Sequence, residues 1–448
     1  MKTRKPSMKK VLFGLTALLL AGGLFAAGYI SGSSRSAAEV PEEKSCTVRY
    51  LVAGEVYESE EALPGTKLAG IGYPTLKKDR VLRWQDSNGQ TVEPAGYTVY
   101  TNMDFTAVTA PALEAKGGYM PCPDGIFRPE APLSSADALE VFGFLAARQP
   151  DAALFEERES YSTEDFAALL THFFRDDAVE EAVGRIHGIG SGDVSRAEAA
   201  VVLNALLGLD GGEAYFPDVE SGYWAEADVA AAGVPGFEKK LEEGFVNLSG
   251  WLYHVEKDGY FLKNAYKNSL FFDQNGRYTS GDAALDASVA AAIAANTDES
   301  MTREEMLRAM YEYVRDSFKY LRRNYYKLGQ NNWALQEAST MYATGHGNCY
   351  NYAAAFWAAA RGLGYDAMTV SGNIGTDQSQ HGWVEIPIDG ERYVFDAEIE
   401  MAYIRDGKNA SDMFKMPHLS ARYGWLYLEL LDANAAAPRE NPPVHALR

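Results

Sequence analysis

Cys349, His381 and Asp396 are the residues of this 448-residue chain whose types and order suit chemistry. Cys349 sits in Gly345-His346-Gly347-Asn348-Cys349-Tyr350-Asn351-Tyr352-Ala353-Ala354-Ala355-Phe356, His381 in His381-Gly382-Trp383-Val384-Glu385, and Asp396 in Tyr393-Val394-Phe395-Asp396. A thiol attacks a carbonyl well only after losing its proton. A histidine can take that proton, and a carboxylate can fix the ring's tautomer and orientation. Histidine suits the task because its ordinary pKa lies near neutrality. Taken singly, each residue has a bland reading: a small buried core cysteine, a surface strand histidine, a strand-end aspartate. Taken in this order, they favour nucleophile, base and orienter.

Two elements must position them. From Asn348 to Leu363 the residues Cys349, Tyr352, Ala353, Phe356, Ala360 and Leu363 recur at helical spacing, and Gly364 stops the pattern. Asn348 is a natural N-cap, so Cys349 falls in the first turn, where backbone N–H groups and the helix dipole favour a thiolate and a developing oxyanion. Gly345 and Gly347 would admit a substrate backbone. The stretch His381 to Asp396 predicts a β-hairpin around Asp389-Gly390. A two-residue turn pairs Ile388 with Glu391 and brings Trp383 opposite Asp396 and His381 opposite Glu398. His381 and Asp396 then lie on adjacent strands as diagonal neighbours about 7 Å apart by backbone. A three-residue loop would put them on opposite faces.

These motifs resemble the transglutaminase-like superfamily of papain-fold cysteine enzymes. The resemblance rests on Gly347-Asn348-Cys349 with Tyr352-Ala353-Ala354-Ala355-Phe356, on Leu363-Gly364-Tyr365 leading into Met368-Thr369-Val370-Ser371-Gly372, on His381-Gly382-Trp383-Val384-Glu385, and on Val394-Phe395-Asp396. It implies a catalytic triad of Cys349, His381 and Asp396 and spans roughly 298–430. Ala397-Glu398 departs from the proline or threonine that often follows the aspartate in the family. The upstream side chain that helps hold the oxyanion has two candidates, Trp333 and Tyr342. The resemblance implies attack on a protein or peptide amide, and leaves open whether amine or water accepts the acyl group.

The chain begins with Lys2, Arg4, Lys5, Lys9 and Lys10, then carries no charge from Val11 to Ser34. Residues 1–38 therefore predict an export signal or a retained membrane anchor, with Ser36-Ala37-Ala38 as the cleavage site. The expected location is extracellular or at the cell surface. The formal net charge of −21 argues against nucleic acid and anionic lipid as partners, with membrane contact only through the N-terminal segment. Three cysteines, Cys46, Cys122 and Cys349, provide no disulfide framework; Cys46 and Cys122 are free to pair or not. The seven histidines are scattered, so no metal or other cofactor is expected.

Upstream, residues 46–110 predict short strands at Thr47–Leu51, Glu55–Ser59, Thr98–Tyr100 and Phe105–Val108, and resemble a β-grasp-like repeat of Gram-positive surface proteins. The marks are Val48-Arg49-Tyr50-Leu51-Val52, Pro64-Gly65-Thr66, Trp84-Gln85-Asp86-Ser87-Asn88-Gly89 and Thr101-Asn102-Met103-Asp104-Phe105. Residues 118–235 resemble S-layer homology modules, through Pro123-Asp124-Gly125-Ile126-Phe127-Arg128-Pro129-Glu130, Val194-Ser195-Arg196-Ala197-Glu198-Ala199-Ala200 and Phe216-Pro217-Asp218-Val219 with Tyr223-Trp224-Ala225. That resemblance implies helical units that bind a cell-wall polymer, with Arg196 and Trp224 as contacts; the earlier copies carry serine or threonine where the arginine would be. Ser195 and Glu198 also fit a capping box, a purely structural role. Residues 245–285 are rich in aromatics, with turn signals at Asp258-Gly259 and Asn275-Gly276, and resemble a single cell-wall-binding repeat, expected to pack as a hairpin against the next domain.

The chain thus reads as multidomain: a small all-β N-terminal module, an α-helical S-layer-homology-like region, an aromatic β-hairpin segment and a C-terminal α+β papain-like domain. The leading function is an exported, wall-associated cysteine acyl-transfer enzyme. The alternative is a non-catalytic surface-binding or structural wall protein on the same scaffold.

Overall fold

The computed structural model describes residues 44–417 and 427–428, apart from 187–191, 299, 324, 328–329, 331, 376–378 and 409–411. The expected export segment at 1–38 lies outside the described residues. Among those described, no helix is long and apolar enough to cross a membrane.

Residues 46–111 build a five-stranded sheet in the order Glu55–Ala62, Cys46–Val52, Met103–Pro111, Asp79–Gln85, Thr91–Val92. Val48, Tyr50, Trp84 and Phe105 form its core, the alternating inward face of the strands. Asp79–Gln85 was not among the expected strands; its polar ends, Asp79 and Gln85, hide a central apolar pair, Val81 and Leu82, and the buried Trp84.

Five α-helices follow: Ser135–Leu145, Thr163–Thr171, Asp176–Gly184, Arg196–Leu207 and Glu226–Ala232. Ser195 caps the fourth, with Glu198 returning the bond. Arg196 is buried, and its guanidinium is committed internally. Nε donates to the Phe127 carbonyl at 2.8 Å, one terminal nitrogen to Asp137 at 2.6 Å, and the other to the Pro121 carbonyl at 2.6 Å. The side chain expected to meet a polymer thus ties three segments of the helical region together. Trp224 is half exposed, beside Tyr223. Arg196→Ala would leave Asp137 and two buried carbonyls without their donor. We expect a loss of about 3 kcal/mol in the stability of this region, checked by chemical denaturation; unchanged stability would show that the bonds contribute nothing.

The aromatic segment forms two small sheets. Gly244–Leu248 pairs with Trp251–Val255, and Leu270–Phe272 lies between Ala265–Lys267 and Tyr278–Thr279. Gly259 and Gly276 sit in turns with φ +88° and +76°, where glycine carries no Cβ penalty. The segment packs on the helix Cys349–Gly362: Arg361 bonds the Tyr278 hydroxyl and both oxygens of Ser269. The helix Ala283–Asn296 backs the same region, with Val289 and Ile293 against Gly362.

The C-terminal domain sets the helices Arg303–Ser317, Ala334–Thr344 and Cys349–Gly362 against an antiparallel sheet in the order Met416–Pro417, Glu391–Phe395, Ser379–Ile388, Met368–Ile374, Tyr427–Leu428. Every residue of the Cys349–Gly362 helix is buried. Its alanines, at 353–355 and 358–360, let sheet and neighbouring helices approach closely. A helix covered on all sides makes a rigid mount for whatever its N-terminus carries.

Candidate active site

Cys349 is the first residue of that helix. Asn348 is the N-cap: its side chain accepts the Tyr350 N–H at 3.2 Å, and Asn351 Oδ1 accepts the Asn348 N–H at 3.0 Å. Asn351 in turn donates to the Glu337 carboxylate, which also receives the Tyr326 hydroxyl. The flanking glycines each have a structural role. Gly345 takes the left-handed C-cap of the preceding helix (φ +72°). A Cβ on Gly347 would fall under 3.0 Å from Asn351 Cβ.

The hairpin has the expected register. Ile388 pairs with Glu391 and Val384 with Phe395, around Asp389-Gly390 with φ of +52° and +84°. The expected adjacent strands need one correction. The strand ends at Phe395, and Asp396 is the N-cap of the helix Ala397–Arg405. Its Oδ1 accepts the Ile399 N–H at 3.1 Å, which stops the ladder there. Its Oδ2 accepts His381 Nε2–H at 2.7 Å. Tyr311 holds this turn from behind, its hydroxyl 3.1 Å from the Asp396 carbonyl and 2.8 Å from Glu400. Gly382 is small for a reason: a Cβ would lie 2.6 Å from the Tyr350 ring, which packs over the strand. Trp383 stacks on His381, and its indole donates to Glu385 at 2.9 Å.

Cys349, His381 and Asp396 therefore meet, all buried. With Nε2 held by Asp396, the ring's Nδ1 is the nitrogen left to hydrogen-bond the Cys349 thiol. Burial alone would push the His381 pKa down. The charges of Asp396 and Cys349, with hydrogen bonds to both, outweigh it and hold the imidazole well above its ordinary value. The imidazolium is therefore present through neutral pH and is lost as pH rises through that raised value.

The two oxyanion candidates fare differently from the triad. The Trp333 indole N–H is committed to the Gln330 carbonyl at 3.0 Å, and its ring packs against Tyr326 and Tyr350. An indole has one donor, so nothing remains for an oxyanion. Tyr342 is partly buried and packs edge-on against Phe318, and its buried hydroxyl has no partner among the described residues. The tyrosines within electrostatic reach of Cys349 are Tyr320 and Tyr350. No motif marks Tyr320. It arrives because Lys319–Tyr320 pairs in parallel with His346–Gly347, a contact across 27 positions. With Leu321 and Tyr325 it forms an exposed apolar rim.

Glu398 is the second addition. The helix beginning after Asp396 carries it back into the site, with one carboxylate oxygen 4.0 Å from His381 Nδ1. Burial first, then the Asp396 charge, raises its pKa to about 7, against the opposing charges of His381 and Arg405. The folded state holds this proton more tightly than the unfolded chain, so stability falls as pH rises from about 4.5 to about 7. Glu398→Gln keeps the shape and removes the ionisation. We expect no gain near pH 4.5 and about 3 kcal/mol of added stability at pH 8, measured as thermal midpoints across that range; a gain independent of pH would overturn the assignment. His381, Asp396 and Glu398 also place metal-ligand atoms within 4.8 Å of one another, which scattered histidines along the sequence did not foretell.

No curated protein matches the chain. A crystal structure of "a Putative Cysteine Protease from Cytophaga hutchinsonii" is similar at 17% identity and a TM-score of 0.20, over 24% of this chain and 35% of that one. Residues 288–397, which contain Cys349, His381 and Asp396, match the sequence model of the transglutaminase-like superfamily, and this part of the chain is a transglutaminase-like domain.

Proposed function

We propose that this protein is a cysteine acyl-transfer enzyme acting on a protein or peptide amide. The observation that carries the reading is the buried chain of hydrogen bonds from Cys349 through His381 to Asp396 at a helix N-terminus. The Cys349 sulfur attacks the amide carbonyl, and the helix N-terminus faces the oxyanion. The carbon–nitrogen bond breaks as His381 delivers its proton to the leaving amine. The thioester left on Cys349 is resolved by water or by an amine, with His381 taking the acceptor's proton. The apolar rim of Tyr320, Leu321 and Tyr325 favours a substrate with apolar side chains beside the reacting amide.

Export through residues 1–38 and association with a cell wall through the helical region belong to the same proposal. With Arg196 engaged inside the fold, exposed Trp224 is the better polymer contact. The test of function is release of amine or ammonia from peptide libraries, with and without added primary amines. The Cys349→Ala protein serves as control. We expect activity from the intact chain only; equal release from both would defeat the reading.

A further inference from the structure

We propose that Lys319, Arg322, Arg323 and Lys327 select the substrate of this site, a peptide carrying carboxylates beside the reacting amide. The inference rests on the acyl-transfer reading above and adds the substrate class. From Ser317 to Gln336 the chain holds these four cations and no acidic residue, whereas the whole chain carries 62 acidic against 41 basic residues. All four side chains are exposed, and among the described residues none of them takes part in an ion pair. The carboxylates that bound the stretch are already engaged, Asp316 by Arg315 at 2.7 Å and Glu337 by the Tyr326 hydroxyl and the Asn351 amide.

Backbone pairing holds this basic patch at the nucleophile. Lys319–Tyr320 runs parallel to His346–Gly347, and the Leu321 N–H donates to the Gly347 carbonyl at 2.8 Å, two residues before Cys349. Arg322 follows directly. It lies within electrostatic reach of Tyr320 and Tyr325, and Tyr320 lies within reach of Cys349. Arg323 reaches Tyr326, whose ring meets Tyr350 edge-on at 5.1 Å, and Tyr350 in turn senses Cys349. Each arginine is therefore one or two tyrosine rings from the nucleophile, beside the exposed apolar surface of Tyr320, Leu321 and Tyr325.

Charges on a solvated surface act over roughly 8 Å at physiological salt. Beyond that distance the net charge of −21 is screened, and a short substrate meets the local field of the patch. Like charges crowded into one stretch repel, and a bound carboxylate relieves that repulsion. Unpaired cations also raise the local concentration of an anionic substrate, and guanidinium groups hold carboxylates through paired N–H bonds. A long polyanion such as a nucleic acid would run past the patch onto the acidic remainder of the surface. A short acidic peptide would not.

The test requires no identified substrate. At low ionic strength the intact protein is alkylated with iodoacetate, an anion, and with iodoacetamide, its neutral counterpart, and the reaction is followed at Cys349 by mass spectrometry. The Cys349–His381 pair is the same in every variant, so the readout is the ratio of the two rates relative to the unaltered protein. Arg322→Glu combined with Arg323→Glu should lower that ratio at least about fivefold. The difference should shrink in about 0.5 M salt. Lys77→Glu combined with Lys78→Glu, an equal change of charge at exposed positions of the N-terminal sheet domain, should leave the ratio where it was. In the peptide libraries, sequences with Asp or Glu flanking the amide should react first, and the double arginine variant should lose that preference, mainly through KM. Alkylation of Cys349 in the unaltered protein no faster than that of free cysteine, by either reagent, would defeat the acyl-transfer reading and this inference with it. Ready alkylation with an unmoved ratio in the arginine variant, or a library preference for uncharged or basic flanks, would overturn this inference alone.

Discussion

Asp396→Asn should reduce turnover on an amide substrate by about 10²- to 10³-fold while leaving the thermal midpoint nearly unchanged. In serine proteases the corresponding change costs about 10⁴, because the amide presents the wrong hydrogen-bond face to the imidazole. The loss here should be smaller, since the helix N-terminus shares in stabilising the charged pair. Stability should hold because Asp396 has two jobs and asparagine performs one of them well. Its Oδ1 caps the helix Ala397–Arg405 through the Ile399 amide, and asparagine is as good an N-cap as aspartate. Asp396→Ala should lose both functions and lower the midpoint as well. A second readout separates orientation from folding. The Asp396 charge is the leading influence that raises the His381 pKa, so its removal should move the alkaline limb of activity to lower pH. Full activity in Asp396→Asn, with an unmoved limb, would transfer the orienting role to Glu398.

The site was legible where local chemistry decides geometry. Asp389-Gly390 is a turn that permits only a narrow set of registers, and Ile388 opposite Glu391 follows from it. Asn348 before an apolar helical pattern likewise fixes where Cys349 stands. The reading weakened where a residue has two uses that the sequence does not rank. Asp396 was expected to continue a strand, yet its carboxylate also caps the next helix, and the cap ends the ladder. That choice places Glu398 in a helical first turn. There it approaches His381 by folding back, and not across a pair of strands. Arg196 carries the marks of a ligand-binding arginine, but three acceptors from distant segments surround it, and nothing near it in sequence announces them. Tyr320 joins the site through strand pairing with Gly347 and has no local signature at all. Trp333 was a reasonable donor until Gln330, three residues earlier, took its single N–H.

Gly347→Ala is expected to disable the candidate site while costing stability. Gly347 lies between two constraints. Its carbonyl accepts the Leu321 N–H at 2.8 Å, pinning it to the segment that brings Tyr320 in. On its other side a new Cβ would press under 3.0 Å against Asn351 Cβ, Cγ and Oδ1. A rotamer change moves Asn351 Cγ and Oδ1 away but cannot move its Cβ, so backbone must shift. Any such shift separates Asn351 from the Asn348 amide, breaks the capping box and turns the Cys349 sulfur away from His381. We expect a stability loss of about 3 kcal/mol and at least about a hundredfold slower alkylation of Cys349, since a misplacement near 1 Å is enough for such a loss. Gly345→Ala is the control two residues away. Nothing lies within 4 Å of a Cβ there, and the only penalty is the left-handed backbone at φ +72°, worth about 1 kcal/mol. The two variants should therefore differ far more in Cys349 reactivity than in the chemical size of the change. Comparable alkylation rates in both would mean that the turn before Cys349 tolerates displacement, and that the thiol is positioned by the helix body instead of by its cap.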